Sequence, residues 1–235
     1  MTRETGGSFD AFAADYERLL DDPLRRRFAG DSAFFIEQKC RVLLRHARRE
    51  VPPAGQRWRM LDAGCGQGTA IEFLRRTCAV VGSDVSPAML GPASRRGPVV
   101  VQEPFDLPFR GAAFDVAFAF CVYHHIAAGD RVRHLRELAR VVRPGGRVFV
   151  FEHNPLNPVT RRVFNRAPVD RGCRMIPRTR LRRLFHAAGL DDVRHGYLLF
   201  VPEPLERALG FLEPYLEWLP LGGQYYVSGR VEGGV

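Results

Sequence analysis

The segment Met60-Leu61-Asp62-Ala63-Gly64-Cys65-Gly66-Gln67-Gly68-Thr69 narrows what this chain can fold into more than any other. An apolar run ends in a carboxylate and is followed by three alternating glycines, the pattern of a buried strand passing through a tight bend into a helix. Only glycine lets a backbone turn this sharply and come close to a ligand. From Arg57 onward, short apolar runs alternate with amphipathic ones, as in strands joined by crossover helices in a mostly parallel sheet. The pattern predicts strands at 58–62, 79–84, 99–103, 114–120 and 147–152, with helices at 69–77, 86–94 and 130–142 between them. Ser86-Pro87 is a capping hydroxyl with a first-turn proline. Arg143-Pro144-Gly145-Gly146 reads as a stop and turn.

The bend selects among ligands. A dinucleotide loop needs G-x-G-x-x-G, and here the third glycine falls one place early. No Lys-Ser or Lys-Thr follows to hold phosphates and magnesium. Asp62, at the strand end, would repel a pyrophosphate but can accept a hydrogen bond from an ammonium group. Asp84 ends the next strand, where an acidic side chain can take both hydroxyls of a ribose.

Several motifs in order now resemble the class I S-adenosylmethionine-dependent methyltransferases, in particular their small-molecule and quinone-type branch. Leu61-Asp62-Ala63-Gly64-Cys65-Gly66-Gln67-Gly68 is similar to the family's first motif and Gly82-Ser83-Asp84-Val85-Ser86 to its ribose segment. Leu107-Pro108-Phe109 with Phe114-Asp115 resembles the approach to the fourth strand, and 138–146 the turn before the fifth. The resemblance implies a Rossmann-like, doubly wound α/β sheet of seven strands, the last antiparallel, with S-adenosylmethionine as cofactor. It places Ala63, Cys65, Val85, Met89, Cys121 and, from the N-terminal segment, Tyr16 around that cofactor beside Asp62, Gly64, Gly66 and Asp84. It gives Glu103 to the adenine amino group and the next backbone N–H to a ring nitrogen. That next residue is Pro104, which has no N–H, so Phe105 or water must supply the bond.

Methyl transfer from a sulfonium mainly needs the acceptor held in line and water kept out. An oxygen or carbon acceptor often also needs a base, for which neutral imidazole is suited. His124 and His125 follow the fourth strand, where the acceptor is expected, and are the base candidates. Glu152 and His153 end the fifth strand and face the same crevice. The family's metal-dependent members carry an acidic residue at the end of the fourth strand, where this chain has Cys121, so no catalytic metal is expected. Tyr16, Phe34, Phe35, Tyr215, Trp218, Tyr225 and Tyr226 could line an aromatic pocket or simply fill the core.

The 235 residues suit an N-terminal helical cap (1–50) on one methyltransferase domain (51–235), with a Pro- and Asn-rich lid after Glu152. The tail predicts a helix at 179–188, strands at 193–201 and 224–231, and an amphipathic helix near 205–218. The odd, scattered set of five cysteines reads as reduced thiols. Without an apolar span or a signal-peptide order at its start, the chain is expected in the cytoplasm, as a monomer or homodimer. The net charge of +9 raises a nucleic-acid partner. The arginines are dispersed, however, Lys39 is the only lysine, and 120–123 lacks the Asn- or Asp-Pro-Pro-aromatic motif of adenine amino-group methylases. The expected function is methylation of a small organic acceptor, such as a secondary metabolite or lipophilic compound. An RNA methyltransferase and a noncatalytic cofactor-binding module are the alternatives.

Overall fold

A computed structural model describes residues 9–232. Residues 1–8 of the expected cap and 233–235 lie outside the described residues. Seven strands form one sheet: β1 (Arg59–Ala63), β2 (Ala79–Asp84), β3 (Val99–Val101), β4 (Phe114–Phe120), β5 (Val142–His153), β6 (Asp191–Leu198) and β7 (Gln224–Arg230). Their order is β3-β2-β1-β4-β5-β7-β6, and β7 runs antiparallel to both neighbours. The order reverses direction beside β1, which opens the crevice typical of such sheets above the strand ends.

The sheet alternation divides the core in two, as the period of two along a strand requires. Met60, Val116, Phe118, Phe149, Phe151 and Tyr226 face one side. Leu61, Ala117, Ala119, Val148, Val150 and Tyr225 face the other. The first side is covered by α3 (Ser32–Glu50), which follows α1 (Tyr16–Leu19) and α2 (Pro23–Phe28), and by α4 (Thr69–Leu74). The second is covered by α6 (Arg131–Val141) and α8 (Arg178–Ala187), while α5 (Pro87–Ala93) packs on β2 and β3 and α7 (Pro158–Arg166) beside β5. Helix α3 thus lies against the sheet as one of its layers, and the segment above the crevice is 9–28.

Local signals explain most boundaries. Asp31 caps α3 by accepting from Ala33 N at 2.8 Å, and the prolines at 52 and 53 bar its continuation. Ser86 caps α5 by accepting from Met89 N at 3.2 Å. The Pro-rich lid contains a full helix, α7, because Asn157 caps it through Thr160 N at 3.0 Å and Pro158 occupies its first turn.

Residues 143–146 differ from the expected turn. They extend β5 backward through a bulge, the register passing from Phe114↔Val142 to Val116↔Arg147. Glycine is needed there: Gly145 has φ +78°, and a Cβ on Gly146 would lie 2.4 Å from the Asp115 carbonyl oxygen. Residues 203–216 also depart from one helix, breaking into short turns at Pro204, Gly210 and Pro214. Among the described residues, no helix is long and apolar enough to cross a membrane.

Candidate functional site

The bend after β1 is held by backbone. Gly64 N and Cys65 N both donate to Ser83 O of β2, at 2.8 and 3.0 Å. Gly64 has φ +76°, and a Cβ there would lie 2.6 Å from a methyl of Val122, so any side chain would be strained and would clash with Val122. Asp84 accepts from Gly66 N and from Ser86 N, each at 2.9 Å. Burial raises its pKa even so. Asp62 is 2% exposed and forms no ion pair among the described residues. Burial and the charge of Asp84 push its pKa up to about 8, against the pull of Lys39.

These carboxylates border two cavities that share the walls formed by Tyr16, Gly64, Gly66, Phe120, Cys121 and His125. The smaller, about 120 Å³, is closed by Asp84, Val85, Met89, Pro104 and Phe105. The larger, about 500 Å³, takes in Asp62, Cys65 and Lys39 and runs out to the lid. Cys121, between them, has φ +57°, a conformation that costs a non-glycine residue about 1–2 kcal/mol and often marks a working site.

Two residues expected near the cofactor line neither cavity. Ala63 is fully buried in the core and reaches neither cavity. Glu103 is exposed and turned away, because β3 stops at Val101 and a tight turn pairs Glu103 with Asp106. Gln102 faces the smaller cavity in its place, with a buried Oε1 that has no hydrogen-bond partner.

A strap from the N-terminal segment covers the bend. Asp10 accepts from Ser86 Oγ and from Ala88 N, and Gln67 Nε2 donates to Ala13 O at 2.9 Å. Phe9 sets its ring edge-on to His125 at 4.9 Å.

At the wall of the larger cavity the two histidines differ sharply. His124 is buried with Nδ1 2.8 Å from Glu152 Oε2 and Nε2 3.1 Å from Asp170 Oδ1. Burial alone would strip its proton, but the two carboxylates outweigh that and hold its pKa at about 10. His124 is therefore an imidazolium with both N–H groups donated, and it has no lone pair with which to act as a base. His125 faces both cavities, its Nδ1 3.3 Å from Cys173 Sγ and its Nε2 3.4 Å from Asp170 Oδ1. Burial and the neighbouring charge of His124 lower it to about 4, so its ring is neutral. Glu152 is held down at about 2, the charge of His124 overcoming its complete burial. His153 lines the larger cavity, and burial followed by the His124 charge lowers it to about 4.

The aromatic expectation divides. Tyr16 and Phe35 line the larger cavity and Phe34 is core. Tyr225 and Tyr226 are buried on β7, and Tyr215 and Trp218 are 74% and 76% exposed. Sequence reasoning missed Gln102, Arg25 and Asp170 as cavity residues. Lys39 did carry a signal: it is a buried charge next to Cys40 on the apolar stripe of α3. Nothing local marks Asp170.

Residues 61–150 match the family model described as a methyltransferase domain. The chain is 37% identical over 93 residues to a tRNA (carboxymethyluridine(34)-5-O)-methyltransferase of Arabidopsis thaliana, covering 39% of this chain and 23% of that one. It is 32% identical over 157 residues to the 27-O-demethylrifamycin SV methyltransferase of Amycolatopsis mediterranei, covering 62% and 56%. The chain thus spans from under a quarter to just over half the length of these relatives. An S-adenosylmethionine-dependent methyltransferase structure from Thermotoga maritima shares the fold over 97% of this chain and 100% of its own, with a TM-score of 0.70 and 21% identity. With the ordered motifs now lying along one crevice of the expected sheet, residues 61–150 form a methyltransferase domain of the class I S-adenosylmethionine-dependent kind.

Proposed function

We propose that this chain methylates a small organic acceptor held in the larger cavity, with S-adenosylmethionine as donor. One observation carries the reading: Asp62, a buried carboxylate without an ion pair, stands beside the bare backbone bend at the tip of β1. A buried carboxylate lacking a partner is costly and is satisfied by a cation, here the ammonium of the methionine moiety. The other residues suit the same ligand. Asp84 retains acceptor capacity for ribose hydroxyls beyond its two backbone donors. The orphaned Oε1 of Gln102 suits an exocyclic amino group. When bound, the cofactor supplies a methyl group on a sulfonium, already activated for transfer.

The protein's remaining task is placement. Phe28, Phe35, Val163, Phe164 and Leu199 give the larger cavity an apolar wall, while His125, His153 and Asp170 form a polar one. That pairing fits an acceptor with an apolar body and one polar end, and excludes bulk water from the crevice. Of the two imidazoles expected to serve as a base, only His125 can act on that polar end. His124 is a positioning residue that fixes β4, β5 and the lid to one another.

The Arabidopsis relative and the net charge of +9 keep an RNA acceptor as the second reading. Calorimetry with S-adenosylmethionine should show binding, and its absence would end the enzyme reading. Isotopically labelled cofactor incubated with an extract split into small-molecule and RNA fractions should label the former. Label confined to RNA would transfer the proposal to the second reading.

A further inference from the structure

The geometry points to a site for one divalent transition-metal ion, ligated by His124 Nε2, His125 Nε2 and Asp170 Oδ1 at the polar wall of the larger cavity. Each residue offers one atom, and the three atoms lie within 4.8 Å of one another. Asp170 Oδ1 is 3.1 Å from His124 Nε2 and 3.4 Å from His125 Nε2. Ligands bonded at ~2.0–2.1 Å in tetrahedral geometry stand about 3.3 Å apart, a spacing that both distances from the carboxylate oxygen already approach.

The surroundings strengthen the case. A metal-binding imidazole needs its other nitrogen fixed, so that the ligating one is presented with the right tautomer and direction. Both rings meet this condition. Glu152 Oε2 holds His124 Nδ1 at 2.8 Å, and Cys173 Sγ holds His125 Nδ1 at 3.3 Å. The two Nε2 atoms are thereby turned toward the same carboxylate oxygen. Phe9, edge-on to His125, restrains that ring further.

Two imidazoles and one carboxylate select a first-row ion such as Zn²⁺, Fe²⁺ or Mn²⁺ over the all-oxygen sites of Mg²⁺ and Ca²⁺. Its entry replaces the proton on His124 Nε2, which goes to solvent. All three ligands line the larger cavity, so the open coordination position faces the acceptor. There the ion would bind an acceptor oxygen and release its proton, which is the action assigned to His125 above. That role rests on the methyl-transfer reading, while metal binding itself does not. The residue at the end of β4, Cys121, had argued against a metal, but the carboxylate comes from the lid instead.

The test uses the full chain, stripped with chelator and titrated with Co²⁺ alone. We expect one Co²⁺ per chain, with visible d–d absorption. Asp170→Asn and His125→Ala should each lose that uptake, and Asp170→Asn, at a residue outside the smaller cavity, should still bind S-adenosylmethionine by calorimetry. Glu152→Gln should weaken uptake about 10–100-fold, as for other groups that orient a ligand. Failure of saturable uptake in protein that binds S-adenosylmethionine overturns the metal site and leaves His125 as a direct base. Uptake that survives both ligand variants overturns it as well. Uptake without cofactor binding sinks the methyl-transfer reading and not this one.

Discussion

Around the smaller cavity, Gly64, Gly66, Asp84, Val85 and Met89 come from one run of chain, the tips of β1 and β2 and the start of α5, and the bend among them is held by backbone hydrogen bonds. Around His124 they come from the tip of β4, the end of β5 and the turn at Asp170, and all are side chains. The first region is set by glycine conformation and strand register, so its geometry survives many side-chain changes. The second exists only when distant segments meet, so one substitution can dismantle it. A donor pocket can thus stay constant while the acceptor pocket changes identity.

The largest effect that would sharpen this contrast is on turnover. His125→Ala should lower turnover by about 10²–10⁴-fold, the usual worth of a group that moves a proton in the transition state. Cofactor affinity should fall far less, because the groups proposed to hold the donor, Asp62, Asp84 and Gln102, come from other elements and His125 gives the smaller cavity only one part of its wall. Steady-state kinetics with calorimetry on the same protein checks both halves. A parallel loss of cofactor affinity would break the separation between the regions.

Asp84→Ala should act in the opposite sense, weakening cofactor binding by about 10–100-fold, as expected for ~1.5–3 kcal/mol of hydrogen bonding to a charged group. It also frees Gly66 N and Ser86 N, so the bend itself should loosen. Unchanged affinity would show that the ribose lies elsewhere.

The same contrast explains what could be read from sequence. Asp62, Gly64 and Asp84 were legible because strand period, glycine spacing and a carboxylate at each strand end are local patterns. The seven-strand sheet with its antiparallel strand was implied by the family resemblance that those motifs carry. The exposure of Glu103 was not legible because a resemblance assigns positions without seeing that β3 ends at Val101 and that Gln102 lines the smaller cavity. The chemistry of the histidine pair was illegible for a deeper reason. Adjacent imidazoles acquire different charge states through burial and through Glu152 and Asp170 beside His124, and the partnership of His124 with Asp170 spans 46 positions. No local period encodes such a meeting.

A smaller effect concerns pH. With its folded pKa raised to about 8, Asp62 is mostly neutral at pH 7 in the free protein. Its stabilising contribution is full below the unfolded value near 4 and is lost as pH rises through about 8. Pairing with an ammonium needs the ionised form, so cofactor affinity should rise up to about tenfold per pH unit below 8 and level off above it. Asp62→Asn should flatten that profile. A wild-type profile already flat between pH 6 and 8 would mean that Asp62 does not meet the cation.

The smallest effect lies where the two regions join. The strap at 9–13 touches both, through Asp10 on the start of α5, Ala13 on Gln67 and Phe9 on His125. Asp10 supplements the cap of α5, and loss of a capping carboxylate costs about 1 kcal/mol. If the strap is a donor-side clamp, Asp10→Ala should lower cofactor affinity by about fivefold through faster release, leaving turnover at saturating cofactor intact. If turnover falls instead, the strap acts through Phe9 and the His125 ring, and the two halves of the crevice are coupled mechanically. Stopped-flow release of the cofactor, read beside turnover at saturating cofactor, separates the outcomes because only the first leaves the orientation of His125 undisturbed.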